Sequence, residues 1–204
     1  MKRFVMVYLV LNIITLLSHD SEKHTTLPKV RSFDFEFIAM HEKDFKQIYE
    51  WLHRPFIEPW FIPKSLSWTD FLSIYSAKLT TEFEWNYLIY SHEEPIGYIR
   101  YYDAHREPDG IGNLEPEGSY GIELFIGESE YLQKGYGTTI LSLFMEKIIL
   151  DQKKLGRNVE RFIIDPNIHN IPAYRTYSKV GFSKVREFED PYYGPLLIME
   201  FYPN

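Results

Sequence analysis

The chain has 204 residues, enough for one domain and a tail, and 45% of them are apolar, enough to bury a sizeable core. A formal net charge of −7 argues against a phosphate-backbone partner, which needs clustered Lys and Arg, and mildly favours a cationic substrate through long-range steering. With 0 cysteines there is no disulfide framework, zinc ribbon or thiol nucleophile, and the 7 histidines show no paired ligand spacing, so no metal is expected.

Residues 1–17 open with Lys2 and Arg3 and run apolar from Phe4 to Leu17, broken only by Asn12 and Thr15. This has the form of the first two regions of a signal peptide and is too short for a comfortable membrane span. No small-x-small cleavage site follows. An appended anchor and translation from an upstream start are the alternatives. Residues 18–29 are polar, close with Pro28 and read as a linker, which divides the chain into 1–29 and a folded domain over 30–204.

Within the domain, residues 31–40 alternate Phe33, Phe35 and Phe37 with polar neighbours, the pattern of a half-buried strand. Asp44 is a candidate N-cap for a helix carrying Phe45, Ile48, Tyr49 and Leu52. Pro55, Pro59 and Pro63 predict a non-helical loop rich in aromatics, and Ser67 then precedes a second helix with Phe71, Leu72, Tyr75 and Leu79. Strands are predicted over 83–90 and 96–102, joined by a turn at 92–95, and over 120–126. A helix over 138–155 follows, with Gly156 as its left-handed C-terminal cap. After it come a short strand at 161–164, a helix over 171–180 with Asn170 as N-cap, and two strands near 183–188 and 196–202. The strand–helix–strand step over 120–164 implies a right-handed crossover with parallel pairing, and the hairpins imply antiparallel pairing elsewhere. The expected fold is therefore α/β (α+β), a mixed sheet of six to seven strands with helices on both faces.

Two motifs carry the chemistry. In Gln133, Lys134, Gly135, Tyr136, Gly137 and Thr138, two glycines one residue apart join a strand to a helix, so that backbone N–H groups and the helix dipole converge on one anion site. Alone, this pattern is also that of a tight turn. There is no third glycine at dinucleotide spacing and no P-loop lysine. Downstream, Asp165, Pro166, Asn170, Ala173, Tyr177, Lys179, Gly181 and Phe182 form a second pattern in which Ala173 and Tyr177 share one helix face.

Together the two motifs resemble the Gcn5-related N-acetyltransferase (GNAT) family, over residues 33–202. Finer matches resemble aminoglycoside 6′-N-acetyltransferases: Trp51-Leu52-His53-Arg54-Pro55, Glu58-Pro59-Trp60-Phe61, Glu94-Pro95-Ile96-Gly97-Tyr98 and Tyr120-Gly121-Ile122-Glu123. The hydroxylysine acetylases of siderophore synthesis share much of this, including the run from Ile126 to Leu132.

The resemblance implies acetyl-CoA as co-substrate, bound by Leu124, Phe125, Ile126, Gln133, Lys134, Gly135, Tyr136, Gly137, Thr138, Asn170, Ala173 and Tyr177. It implies direct aminolysis of the thioester, with Glu123 as first candidate base and Asp165 as second or as an ammonium-binding group. A backbone N–H within 124–126 would polarise the carbonyl, and Tyr177 would protonate the departing thiolate. Trp60, Phe61, Arg100, Tyr102, Asp103, Asp109, Glu123 and Asp165 are the expected acceptor-side residues, and the acidic stretch 103–117 is expected to be a mobile loop contacting a polyamine.

The acceptor is expected to be a small-molecule amine. The leading reading is an aminoglycoside, hence antibiotic resistance, and the alternatives are a hydroxylysine siderophore precursor or a catalytically silent acyl-CoA-binding module. No nucleic-acid partner and no membrane association are expected, monomer and homodimer are both open, and the location of acetyl-CoA points to the cytoplasm. Three departures from the aminoglycoside pattern stand out: Glu123 for aspartate, Leu124 for glutamine, and Arg100 for a substrate-facing glutamine. A cation at position 100 is unfavourable to a polycationic acceptor.

Overall fold

The computed structural model describes residues 35–62, 65–106 and 115–203. The apolar segment 1–17, the linker, the domain boundary at 29/30 and Asp109 lie outside the described residues.

The elements run β1 (Phe35–Ala39), α1 (Phe45–Leu52), α2 (Glu58–Phe61), α3 (Trp68–Thr80), β2 (Glu84–Ser91), β3 (Glu94–Asp103), β4 (Ser119–Ile126), α4 (Tyr136–Lys154), β5 (Arg161–Ile164), α5 (Ile171–Val180), β6 (Ser183–Asp190) and β7 (Gly194–Phe201). Among the described residues, seven strands form one sheet in the order β1-β2-β3-β4-β5-β7-β6. β4 and β5 are parallel neighbours, as the crossover through α4 requires, and the other pairs are antiparallel. The sheet is therefore mixed, with seven strands, as the sequence leads one to expect.

Side chains alternate across the sheet, and each face has its own core. On one face, Phe45, Ile48, Trp51 and Leu52 of α1 and Phe71 and Tyr75 of α3 pack on Leu88, Tyr98 and Phe125. On the other, Ile140, Leu141, Phe144 and Ile148 of α4 with Tyr177 and Val180 of α5 pack on Ile89, Ile99, Tyr101, Ile122 and Leu124. Ser67 caps α3 by accepting from Asp70 N at 3.2 Å. Asp44 stands at the N-cap position of α1, as expected, but its carboxylate makes no bond to that helix; it reaches back to accept from His41 N at 2.8 Å, closing the preceding turn of 3-10 helix.

The stretch predicted as non-helical contains the one-turn α2. Pro59 sits in its first turn, where a missing N–H costs nothing, so proline permits a helix start here instead of forbidding one.

The β2–β3 hairpin turns on two residues, His92 (φ 49°) and Glu93 (φ 68°), both left-handed. Ser91 faces Glu94 and Tyr90 faces Pro95, but Ile89 then faces Gly97, so Ile96 is an extra residue bulged out of register. From there on the pairing places Asn86 opposite Arg100.

Candidate active site

β4 is eight residues long, yet β5 pairs with it only at Ser119, Tyr120 and Gly121. Beyond Gly121 the two strands part, and the edge of β4 from Ile122 to Ile126 opens into a cleft of about 760 Å³. A sheet edge inside the protein leaves backbone N–H and C=O groups available to a ligand. The cleft is bounded by that edge, by the α2 segment, by residues 131–133 and 135–138, and by α5 with the turn before β7.

The glycine loop is shaped by two left-handed residues, Gln133 (φ 59°) and Gly135 (φ 83°). Gly135 is the N-cap of α4 and offers no side-chain acceptor, so the first-turn N–H groups of this 19-residue helix keep their capacity for an anion. A Cβ at Gly135 would meet nothing within 4 Å, so its role is conformational. Gly137 differs: a Cβ there would stand 3.3 Å from Thr176 Cγ2, so the missing side chain is what lets α5 approach α4. α4 starts at Tyr136, two residues before the start expected from sequence, because the left-handed glycine already performs the turn.

The loop is anchored from the opposite face of the sheet. Trp51 Nε1 donates to Glu128 Oε1 at 2.7 Å, and Arg54 Nη1 donates to Glu128 Oε2 at 2.7 Å and to the carbonyl of Gly127. Gly127 lies flat on the Trp51 indole, where a Cβ would come within 2.5 Å.

Of the residues expected to bind the pantetheine and pyrophosphate, Leu124, Phe125, Ile126, Gln133, Gly135, Tyr136, Gly137, Thr138, Asn170, Ala173 and Tyr177 line the cleft. Lys134 does not; it lines a separate hollow of about 270 Å³ with Phe35, His92 and Glu130, because the left-handed Gln133 turns the chain between them. Asn170 is also the N-cap of α5, accepting from Ala173 N at 3.2 Å. The open strand edge, the uncapped helix start and the small Ala173 together suit a ligand with a pantetheine arm ending in an anionic pyrophosphate.

On the acceptor side, Trp60, Phe61, Arg100, Tyr102, Glu123 and Asp165 line the cleft. Asp103 does not. It sits opposite Tyr120 in the β3–β4 pair and accepts from His105 N at 3.1 Å, so it closes a turn. The expected acidic loop is partly spent as well, since Glu115 pairs with Arg161, which also holds Glu200 at 2.6 Å. Tyr193, from the β6–β7 turn, joins the wall with no warning in the sequence. Asp190 holds that turn by accepting from the backbone N of both Tyr192 and Tyr193, each at 2.7 Å.

Arg100 is not a free cation. One Nη donates to Glu84 and the other to Glu123 at 3.0 Å, while the guanidinium lies 4.7 Å from the Tyr102 ring centroid. Tyr102 in turn lies across Gly121, where any Cβ would strike its ring.

The two carboxylates facing the cleft have opposite electrostatics. Burial pushes the Glu123 carboxyl up, but the charge of Arg100, that of Lys78 and the Arg100 hydrogen bond together hold it below the ordinary range. Asp165 is an exposed residue whose carboxyl lies between the walls of the cleft. Desolvation and then the charge of Glu123 raise its carboxyl to about 7. Tyr177 is 8% exposed, and burial followed by the charges of Asp165 and Glu123 raises its phenol well above the ordinary value, so it keeps its proton at neutral pH. Among the described residues no group of three or more acidic or histidine side chains could hold a metal ion, and no helix is long and apolar enough to cross a membrane.

Comparison with known proteins agrees with this geometry. The family model for the acetyltransferase (GNAT) domain matches residues 40–190. The type 1 aminoglycoside N(6′)-acetyltransferase of Klebsiella pneumoniae is 30% identical over 164 residues, covering 78% of this chain and 79% of that protein. The structure of AAC(6′)-Ib with paromomycin and acetyl-CoA superposes with a TM-score of 0.73 at 29% identity, covering 83% of this chain and 93% of the other. The same enzyme with coenzyme A and kanamycin gives a TM-score of 0.71 at 29% identity, covering 82% and 94%. The chain belongs to the GNAT family of acetyltransferases. It is an acetyl-CoA-dependent N-acetyltransferase with acetyl-CoA as its co-substrate.

Proposed function

We propose that the acceptor is the 6′-amine of an aminoglycoside and that the enzyme acts in the cytoplasm, where acetyl-CoA is made available. The observation that carries the reading is the pairing of Arg100 with both Glu84 and Glu123, which leaves the acceptor end of the cleft with carboxylates and aromatic rings facing an incoming amine. The relatives named for aminoglycoside acetylation support it.

When bound, acetyl-CoA supplies an activated thioester carbonyl. The residues of this chain supply the rest. Glu123, ionised and 33% exposed, attracts and orients an ammonium group. Asp165, raised to about 7, is the better proton acceptor near neutrality, so we assign it the general-base role ahead of Glu123. A backbone N–H on the β4 edge polarises the carbonyl, and Tyr177 returns a proton to the thiolate. Trp60, Phe61, Tyr102 and Tyr193 provide flat apolar surface against sugar rings.

A hydroxylysine-type acceptor draws its support from an arginine available to a carboxylate. With both ends of the guanidinium occupied, Arg100 offers that acceptor little. The test follows thiol release from acetyl-CoA with a panel of kanamycin-type amines and N6-hydroxylysine compounds. Turnover of the aminoglycosides is expected; turnover confined to the hydroxylysine compounds would overturn the reading, and thiol release with neither would favour a silent binding module.

A further inference from the structure

We infer that Glu84, a residue outside the cleft, determines how much positive charge the acceptor may carry, by neutralising Arg100 from behind. The inference rests on the proposal that the acceptor is a polyamine.

Glu84 belongs to β2, two strands away from β4, and it does not line the cleft, whereas Arg100 and Glu123 do. Its side chain is 7% exposed and that of Arg100 is 13% exposed. The three residues form a row across one face of the sheet, Glu84 on β2, Arg100 on β3 and Glu123 on β4, with Lys78 Nζ 3.7 Å behind Glu84. Arg100 Nε has no hydrogen-bond partner among the described residues, so the two carboxylates carry the polar compensation of the guanidinium.

The arrangement divides the work. Without Glu84, the full charge of Arg100 would fall on Glu123, which would then be saturated by a fixed partner and poorly able to hold a second cation. With Glu84 present, Arg100 is balanced from the side remote from substrate, and Glu123 retains negative charge for the acceptor. Removing the charge of Glu84 shifts the cleft by one unit toward positive, which weakens an acceptor in proportion to the ammonium groups it carries. Glu84 is thus a positioning residue that acts through Arg100.

The test compares the full-length enzyme with Glu84→Gln, Arg100→Gln and the double variant, using a multiply charged aminoglycoside and a monoamine analogue. Glu84→Gln is expected to raise KM for the polyamine by about tenfold, the scale of one charge contact, with a much smaller change for the monoamine and in kcat. The double variant, in which the buried pair becomes neutral, is expected to recover the polyamine KM, a rescue that a purely structural role does not produce. Binding of the polyammonium compound spermidine to the coenzyme A complex, measured by calorimetry, should weaken in Glu84→Gln and recover in the double variant whether or not aminoglycosides are acetylated. Absence of aminoglycoside turnover in the unmodified enzyme would defeat the acceptor assignment alone. Equal KM changes for both amines, a loss confined to kcat, no recovery in the double variant, or spermidine binding that is undetectable or the same in all forms would overturn the role of Glu84.

Discussion

If Asp165 takes the proton from the acceptor, kcat/KM must follow its ionisation. A carboxyl raised to about 7 is ionised to about one-tenth at about pH 6 and about nine-tenths at about pH 8, so kcat/KM should climb roughly tenfold across that interval. Glu123 is the second cause of the elevation, after desolvation, so Glu123→Gln should move the acid limb to lower pH. The limb should still stop short of an ordinary aspartate value of 3.8, because the desolvation imposed by the cleft walls persists. Asp165→Asn should abolish the limb and lower the plateau by about 10²–10⁴-fold, the usual contribution of a positioned base. Thiol release at saturating acetyl-CoA, read in a constant-ionic-strength buffer series, measures all three. Thermal unfolding reports the same group without catalysis. A carboxyl whose folded pKa is raised contributes stability below its unfolded value, and loses it as pH rises through about 7. Asp165→Asn should therefore gain in Tm relative to the parent as pH rises from about 4 to about 8. A limb near neutrality that survives in Asp165→Asn, or one that Glu123→Gln leaves in place, would refute the assignment.

Tyr177→Phe should cut kcat while leaving acetyl-CoA affinity within about twofold, because only the phenolic hydroxyl is lost from a buried ring; a change in affinity alone, measured by calorimetry, would count against the proton-donor role. Arg54→Ala removes donors to Glu128 and to the Gly127 carbonyl and should cost about 2–3 kcal/mol of stability with a weaker acetyl-CoA Kd, checked by denaturant unfolding and calorimetry. Gly127→Ala forces a methyl against the Trp51 indole and should destabilise by about 1–3 kcal/mol in the same unfolding assay.

The sequence made some of this architecture plain and hid other parts for identifiable reasons. The bounds of β5 and α5 could be read directly, because a short apolar run and a helix between Asn170 and Gly181 have unambiguous ends. The shape of the glycine loop was also legible, since glycine spacing reports backbone conformation. The acceptor side was not. Arg100 looked hostile to a polyamine because its partner, Glu84, is sixteen residues away and meets it only through strand pairing. Asp103 looked like a ligand because nothing in its neighbourhood reveals that its carboxylate closes a turn. Tyr193 gave no signal, since its place in the cleft depends on how β6 and β7 return beside β5. Local chemistry could be read locally; charge compensation between strands could not.

The bulge at Ile96 therefore reaches further than a kink in a hairpin. Were Ile96 paired in the ladder instead of bulged, the pairing that begins with Ser91 opposite Glu94 would continue unshifted and bring Trp85, not Asn86, opposite Arg100. Side chains alternate, so Glu84 would then point to the α4 face while Arg100 stayed on the α1 face. Whether one residue, remote from any reacting atom, is bulged or paired decides whether the guanidinium meets its counterion. Swapping the turn for one that pairs in another register would recharge the cleft while every residue lining it stayed the same. In this enzyme, acceptor preference is written partly in the spacing of a hairpin.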